Sequence, residues 1–270
     1  MAWFKKNHKK NVTVSPETES SVGLRYQVEN LQGIGTRARQ EDSFTLVNAL
    51  DEQQYKELGL MFAVCDGMGG MKDGKIASET AINSFRDFFS TMDRRGRIAM
   101  QLKESVFTAS EEVERLLEGD GGSTVVIGVI LHEQLYFASV GDSYFYLRRD
   151  GKLYRLNAEH NLCHQRYLEN IMDGIFDPKE CREDPEAAAL TQFLGMPGLS
   201  EVDCSVRPMF LQKGDILLAC SDGVGGVLDE QEILDALELS EDAGRQIEQC
   251  IAEHAKENQD NYTALIIRCV

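Results

Sequence analysis

Phe62-Ala-Val-Cys65-Asp66-Gly67-Met68-Gly69-Gly70 is an apolar run that breaks abruptly into one acid and three glycines. Residues 58–65 have the length and composition of a short buried strand, and the glycines after Asp66 admit positive φ and let a ligand come close to main-chain carbonyls. The stretch therefore reads as a strand that delivers a carboxylate into a tight, backbone-exposed turn. The plain alternative is an ordinary strand-to-helix turn capped by Asp66.

Repetition separates the two. A second apolar run, Ile216-Leu-Leu-Ala-Cys220, ends in Ser221-Asp222-Gly223-Val-Gly-Gly226, the same order of strand, acid and glycines. Asp260-Asn261 stands immediately before the terminal apolar run 262–267, Asp142 follows the run 135–140, and Glu41-Asp42 precedes 43–47. Acidic clusters at strand ends converge only if the strands are neighbours. Carboxylates gathered in this way repel and call for cations between them, and oxygen ligands without a Cys or His cluster select hard ions such as Mg²⁺ or Mn²⁺.

Arg37-Ala-Arg-Gln-Glu41-Asp42, Asp66-Gly67-Met-Gly-Gly70, Gly122-Ser123-Thr124, Gly141-Asp142-Ser143, Ser221-Asp222-Gly223 and Asp260-Asn261 occur in the order and approximate spacing of a known family. From residue 24 to residue 270 the chain resembles the metal-dependent Ser/Thr protein phosphatases of type 2C, in their bacterial form. The resemblance implies a four-layer αββα sandwich, two antiparallel sheets flanked by helices, with a dinuclear metal site at one end. It also implies hydrolysis of phosphoserine and phosphothreonine by a water activated between two Mn²⁺ or Mg²⁺ ions. Asp66 would bridge the metals, the Gly67 carbonyl would bind one of them, and Asp222 and Asp260 would complete the shell. Glu41 and Asp42 would act through water, and Asp142 would hold a third, weaker ion shared with Asp222. Arg37 would bind the substrate phosphate, since a guanidinium can hold two phosphoryl oxygens at once. Gln40 stands where bacterial members usually have Asn, Met68 where many eukaryotic members have His, and Tyr144 where the family usually has Arg.

Working outward, Ala77, Ala81, Phe85 and Phe88 recur at helical spacing, as do Ala99, Leu102, Val106, Ala109, Val113 and Leu116, so two long amphipathic helices follow the glycine turn. Their apolar stripes read as core. Residues 123–131, 135–140, 144–148 and 152–156 read as successive strands of a meander, with a hairpin turn at Asp150-Gly151. Grouped strands around a helix pair favour antiparallel sheets with helices outside. Residues 157–200 are the least regular and match the variable flap of the family, where substrate choice would reside; His160 and His164 within it read as structural or solvated. Strands at 201–207 and 215–220 and helices at 229–237 and 243–255 complete the expected order.

The 270 residues, 42% hydrophobic, carry no repeat, linker or low-complexity tract after residue 22, so residues 23–270 read as a single domain. Residues 1–22 read as a disordered tail in which Trp3 and Phe4 precede Lys5, Lys6, Lys9 and Lys10. A formal net charge of −17 argues against nucleic-acid binding. No apolar run reaches the roughly 18 residues of a membrane span and no signal peptide opens the chain, so a cytoplasmic protein without stable membrane insertion is expected. Seven cysteines without CxxC spacing suit reduced thiols. The resemblance implies a phosphorylated protein as substrate and a cognate Ser/Thr kinase as counterpart, and a monomer is expected. Two other classes remain: a catalytically inactive phosphatase-like regulator that binds phosphoproteins, and an acidic globular interaction protein. The latter leaves the placing of the acids at strand ends unexplained.

Overall fold

The computed structural model describes residues 23–69, 73–176, 181, 184–239, 242–254 and 257–270, so the basic N-terminal segment and Gly70 lie outside the described residues. Its architecture follows from alternation along the central strands. In β3 (Leu60–Cys65) every residue is buried. Leu60, Phe62 and Val64 face a second sheet, whereas Met61, Ala63 and Cys65 face helices. The same split divides β12 (Ile216–Cys220) and β13 (Tyr262–Cys269): Leu217, Ala219, Leu265 and Ile267 point between the sheets, and Ile216, Leu218, Ala264 and Ile266 point at the other helix layer. Since a strand presents alternate residues to opposite faces, a continuous apolar run here means burial on both sides.

One sheet runs β1 (Tyr26–Gly33), β13, β12, β8 (Tyr144–Arg149), β9 (Lys152–Arg155). The other runs β10 (Asp203–Cys204), β7 (Gln134–Val140), β6 (Val125–Leu131), β3, β2 (Ser43–Val47), with β11 (Met209–Phe210) also on β7. A small ribbon pairs β4 (Gly67–Gly69) with β5 (Gly121–Ser123). Helices α2 (Asp73–Thr91) and α3 (Ile98–Leu117) cover the β3 sheet through Ala77, Ala81, Phe85, Leu102 and Val106. Helices α5 (Glu230–Leu239) and α6 (Ala243–His254) cover the β12 sheet through Ile233, Leu237, Ile247 and Ile251. The expected αββα sandwich is present. Between the sheets Phe145 meets Phe62 at 5.6 Å and Phe137 at 5.4 Å between ring centres. Gly128 makes room for this cluster, because a Cβ there would stand 2.1 Å from the Phe62 ring.

Three expectations need correction. The strands from 123 to 156 are not one meander: β6 and β7 pair in one sheet, but β8 and β9 belong to the other. Gly141, at φ +98°, turns the chain across the sandwich and seats Phe145 in the inter-sheet core. Local hairpin spacing says nothing about which sheet the next strand joins. The strand expected at 201–207 shrinks to β10, because Val206 is exposed and Pro208 has no N–H for the ladder. Ser205 Oγ accepts instead from the Phe137 N–H at 3.0 Å. The sequence reading also missed α1 (Glu52–Leu58), which buries only Tyr55 and is held at its start by the Asp51 carboxylate. Within 157–200 lies α4 (Leu162–Met172), capped by Asn161 Oδ1 on the His164 N–H. All seven cysteines are free thiols.

Candidate active site

Antiparallel pairing sends the ends of these strands to one edge of the sandwich. Ser43 pairs with Cys65, which sets Asp42 beside Asp66. Cys220 pairs with both Tyr144 and Ala264, so Asp222 lies between the turn carrying Asp142 and the segment carrying Asp260. Val125 pairs with Val140, which places Thr124 under Gly141. Strand register alone thus gathers the acids from both sheets.

The main chain around Asp66 is pinned. Its N–H donates to Thr124 Oγ1 at 3.2 Å, and its carbonyl accepts from the Thr124 N–H at 2.9 Å and Ser123 Oγ at 3.0 Å. Asp42 is wholly buried, with Oδ2 accepting from Ser221 Oγ at 2.9 Å, and the Thr263 N–H donates to that hydroxyl at 3.0 Å. Ser221 therefore ties the ends of the two sheets together. Glu41 joins through its backbone: its N–H donates to Asn261 Oδ1 at 2.7 Å and its carbonyl accepts from Ser78 Oγ at 2.5 Å. Asn261 Nδ2 also donates to the Ile34 and Arg39 carbonyls, holding the 34–41 loop against the site. Lys75 Nζ donates to the Asp42 carbonyl and to Ser43 Oγ, both at 3.0 Å. Gly67 packs so tightly that a Cβ would meet the Gly74 carbonyl at 2.1 Å and that of Glu41 at 2.6 Å. Arg37 is half-exposed and its guanidinium is taken by Asp260 Oδ2 at 2.5 Å.

The electrostatics are those of crowded acids. Loss of water, then repulsion from Asp42 and Asp222, raise the Asp66 carboxyl well above the usual carboxylate range. Burial pushes Asp42 up to about 6 against the hydrogen bonds that favour its charge. Burial and then the Asp222 charge push Asp142 up to about 7. Asp222 is raised by burial, and the neighbouring Asp260 adds to it. Protons thus do part of what a cation would do. Asp42 Oδ1 and Asp222 Oδ1 are buried without any hydrogen-bond partner, an arrangement that costs free energy unless something else meets those oxygens. An all-carboxylate donor set with orphaned oxygens fits a hard divalent ion. Among the described residues, no three His, Cys, Asp or Glu side chains stand grouped as a ready metal site.

Asp42, Asp66, Asp142, Asp222 and Asp260 of the expected set are brought together; Glu41 and Gly67 contribute packed main chain, and Arg37 is on Asp260. The residues missed from sequence are Thr124 and Ser221, although both lie inside the quoted motifs, and Thr263, Ser78 and Lys75, which carry no sequence signal. His160 is structural: it is buried, its N–H donates to the Gly141 carbonyl at 2.9 Å, and its ring meets the same residue at 3.3 Å. Gly223 admits no side chain, since a Cβ would sit 1.9 Å from the Asn261 carbonyl. Gly223→Ala is expected to lower stability by about 3 kcal/mol in a urea melt, because only backbone movement relieves the overlap. Unchanged stability would mean that this turn is slack.

A Ser/Thr phosphatase (stp) of Listeria welshimeri is 28% identical over 213 residues, spanning 76% of this chain and 82% of its own. The structure of the Streptococcus agalactiae Ser/Thr phosphatase superposes with a TM-score of 0.74 at 23% identity, covering 90% of this chain and 99% of that one. The catalytic domain of PstP in complex with 2 manganese ions superposes with a TM-score of 0.70 at 22% identity, covering 92% and 99%. Residues 24–166 match the model described as protein phosphatase 2C, and with the motifs gathered at one end of the αββα sandwich, the chain belongs to that family.

Proposed function

We propose that this protein is a metal-dependent protein serine/threonine phosphatase working with two Mn²⁺ or Mg²⁺ ions. The observation that carries the reading is the convergence of raised-pKa carboxyls, two of them with orphaned oxygens, at the end of a protein phosphatase 2C fold. Two such ions, when bound, lower the pKa of a water molecule, neutralise phosphoryl oxygens and orient the ester. Asp66, the Gly67 carbonyl, Asp222 and Asp260 would hold the two ions directly, the last two from the opposite sheet. Glu41 and Asp42 would act through water, and Asp142 with Asp222 would hold a weaker third ion. Arg37, which pairs with Asp260 at 2.5 Å, would bind the substrate phosphate.

His160 ties its segment to Gly141 beside Asp142, which supports a role for the region 157–200 in choosing the phosphoprotein. The counterpart would be a cognate Ser/Thr kinase. Among the described residues no helix is long and apolar enough to cross a membrane. An inactive phosphoprotein-binding regulator is less favoured, since such a protein has no need of these acids. Hydrolysis of a phosphothreonine peptide with and without Mn²⁺ tests the proposal. Release of phosphate only with metal is expected, and Arg37→Ala is expected to raise KM about tenfold or more through loss of a bidentate contact. A folded, metal-loaded protein inert towards phosphopeptides and small aryl phosphates would leave the binding reading.

A further inference from the structure

We propose that Lys75 is a positioning residue for the metal-binding edge, fixing the Glu41–Asp42–Ser43 turn from the first turn of α2; this rests on the metal-dependent reading above. The Asp42 carboxylate accepts from the Ser221 hydroxyl at Oδ2, while Oδ1 is orphaned. A carboxylate held at one oxygen turns about that bond unless its backbone is fixed. Gln40 Oε1 holds the Asp42 N–H at 2.8 Å and Gln32 Nε2 reaches its carbonyl at 3.4 Å, and Lys75 adds the closer hold on that carbonyl and ties it to α2. Its ammonium bridges the Asp42 carbonyl and Ser43 Oγ at 3.0 Å each, and Ser43 Oγ lies 2.9 Å from Ser78 Oγ, which donates to the Glu41 carbonyl. Lys75 and Ser78 are one helical turn apart, so α2 grips three successive residues of the acidic segment on one face. The same helix start presses Gly74 against Gly67, so it sets the spacing between the Glu41–Asp42 and Asp66–Gly67 strand ends.

Two opposing effects follow from a lysine here. Its charge repels a divalent ion and would weaken binding; its hydrogen bonds hold Asp42 in place and would strengthen it. The side chain is 37% exposed, borders a cavity of about 390 Å³ and also pairs with Glu79 at 3.5 Å, so water and a carboxylate screen the charge. Positioning should win.

The test is Mn²⁺ binding to metal-free protein by calorimetry, with the melting temperature in chelator measured beside it. Lys75→Met is expected to weaken Mn²⁺ binding about tenfold, as loss of a group that orients a ligand does. Lys75→Arg, which keeps donors and charge, is expected to bind within about threefold of wild type. Equal or tighter binding by Lys75→Met would overturn the proposal, showing either a purely structural lysine or dominant repulsion. Equal loss in Lys75→Arg would also overturn it, since general packing and not the Asp42 and Ser43 hydrogen bonds would then be at fault. If Lys75→Met loses its cooperative melt, Lys75→Gln replaces it with the same expectations. Wild-type protein that binds no Mn²⁺ would sink the metal-dependent reading itself, a result distinct from any difference between variants.

Discussion

Asp66→Asn is expected to reduce metal-dependent turnover by at least about a thousandfold and, in the same protein freed of metal, to raise the melting temperature by about 3–6 °C. The two effects share one cause. Asp66 stands where burial, Asp42 and Asp222 all disfavour its charge, so at neutral pH folding must bring a proton to a group that is ionised in the unfolded chain. Asparagine resembles the protonated acid in shape, needs no proton and repels neither neighbour. It also offers no negative oxygen to bridge two cations. Stability in the metal-free state and catalytic competence therefore oppose each other at this position. Thermal scans in chelator, set beside turnover in Mn²⁺, check both halves. A lower melting temperature would mean that the ionised carboxylate has partners that stabilise it, contrary to the crowding described.

Mn²⁺ affinity is expected to fall about a hundredfold between pH 7.5 and pH 5.5. Asp42, at about 6, and Asp142, at about 7, take up protons across this window, and burial with the neighbouring acids raises Asp66 as well. A metal must displace those protons, which costs up to about tenfold in affinity per proton per pH unit. The stability of metal-free protein should run the other way. Each folded-state value lies above the ordinary 3.8, so the stabilisation is fully present below about pH 4 and is lost as pH rises through 6 and 7. Metal-free protein should thus melt higher at pH 5.5 than at pH 7.5, while protein in fixed Mn²⁺ gains stability as pH rises. Calorimetric titrations at the two pH values and paired melts measure this. Parallel pH slopes with and without metal would show that the ion does not bind at these carboxyls.

Much of the architecture was open to reading because strands and helices announce themselves by period. Met61, Ala63 and Cys65 alternate with Leu60, Phe62 and Val64, and an apolar run of that kind has to be covered on both faces. Ala77, Ala81 and Phe85 recur at helical spacing and do cover it. What escaped was weakly periodic or short. Helix α1 buries a single tyrosine, and the 201–207 strand depended on an alternation that Pro208 interrupts.

The site divides along a similar line. Asp66, Asp222, Asp142, Asp260 and Asp42 were legible because each adjoins a strand end, and antiparallel register carries strand ends of alternating direction to one edge. Lys75 and Ser78 were not, since a lysine and a serine in an amphipathic helix look like any others until the helix is docked. Arg37 was picked out only by the family likeness, and its hold on Asp260 is a contact across 223 residues of chain.

By itself, then, the amino-acid order determined the elements, the burial of both faces of the central strands and the acids at their ends, because these depend on local backbone period and on residue chemistry. Only the tertiary structure decided that β7 and β8 part company into different sheets, that Ser221 bridges them at Asp42, and that two carboxylate oxygens are left without partners. Those facts depend on which distant strands pair and on how two sheets pack, and the free energy of that choice is spread over the whole core rather than written in any one stretch of sequence.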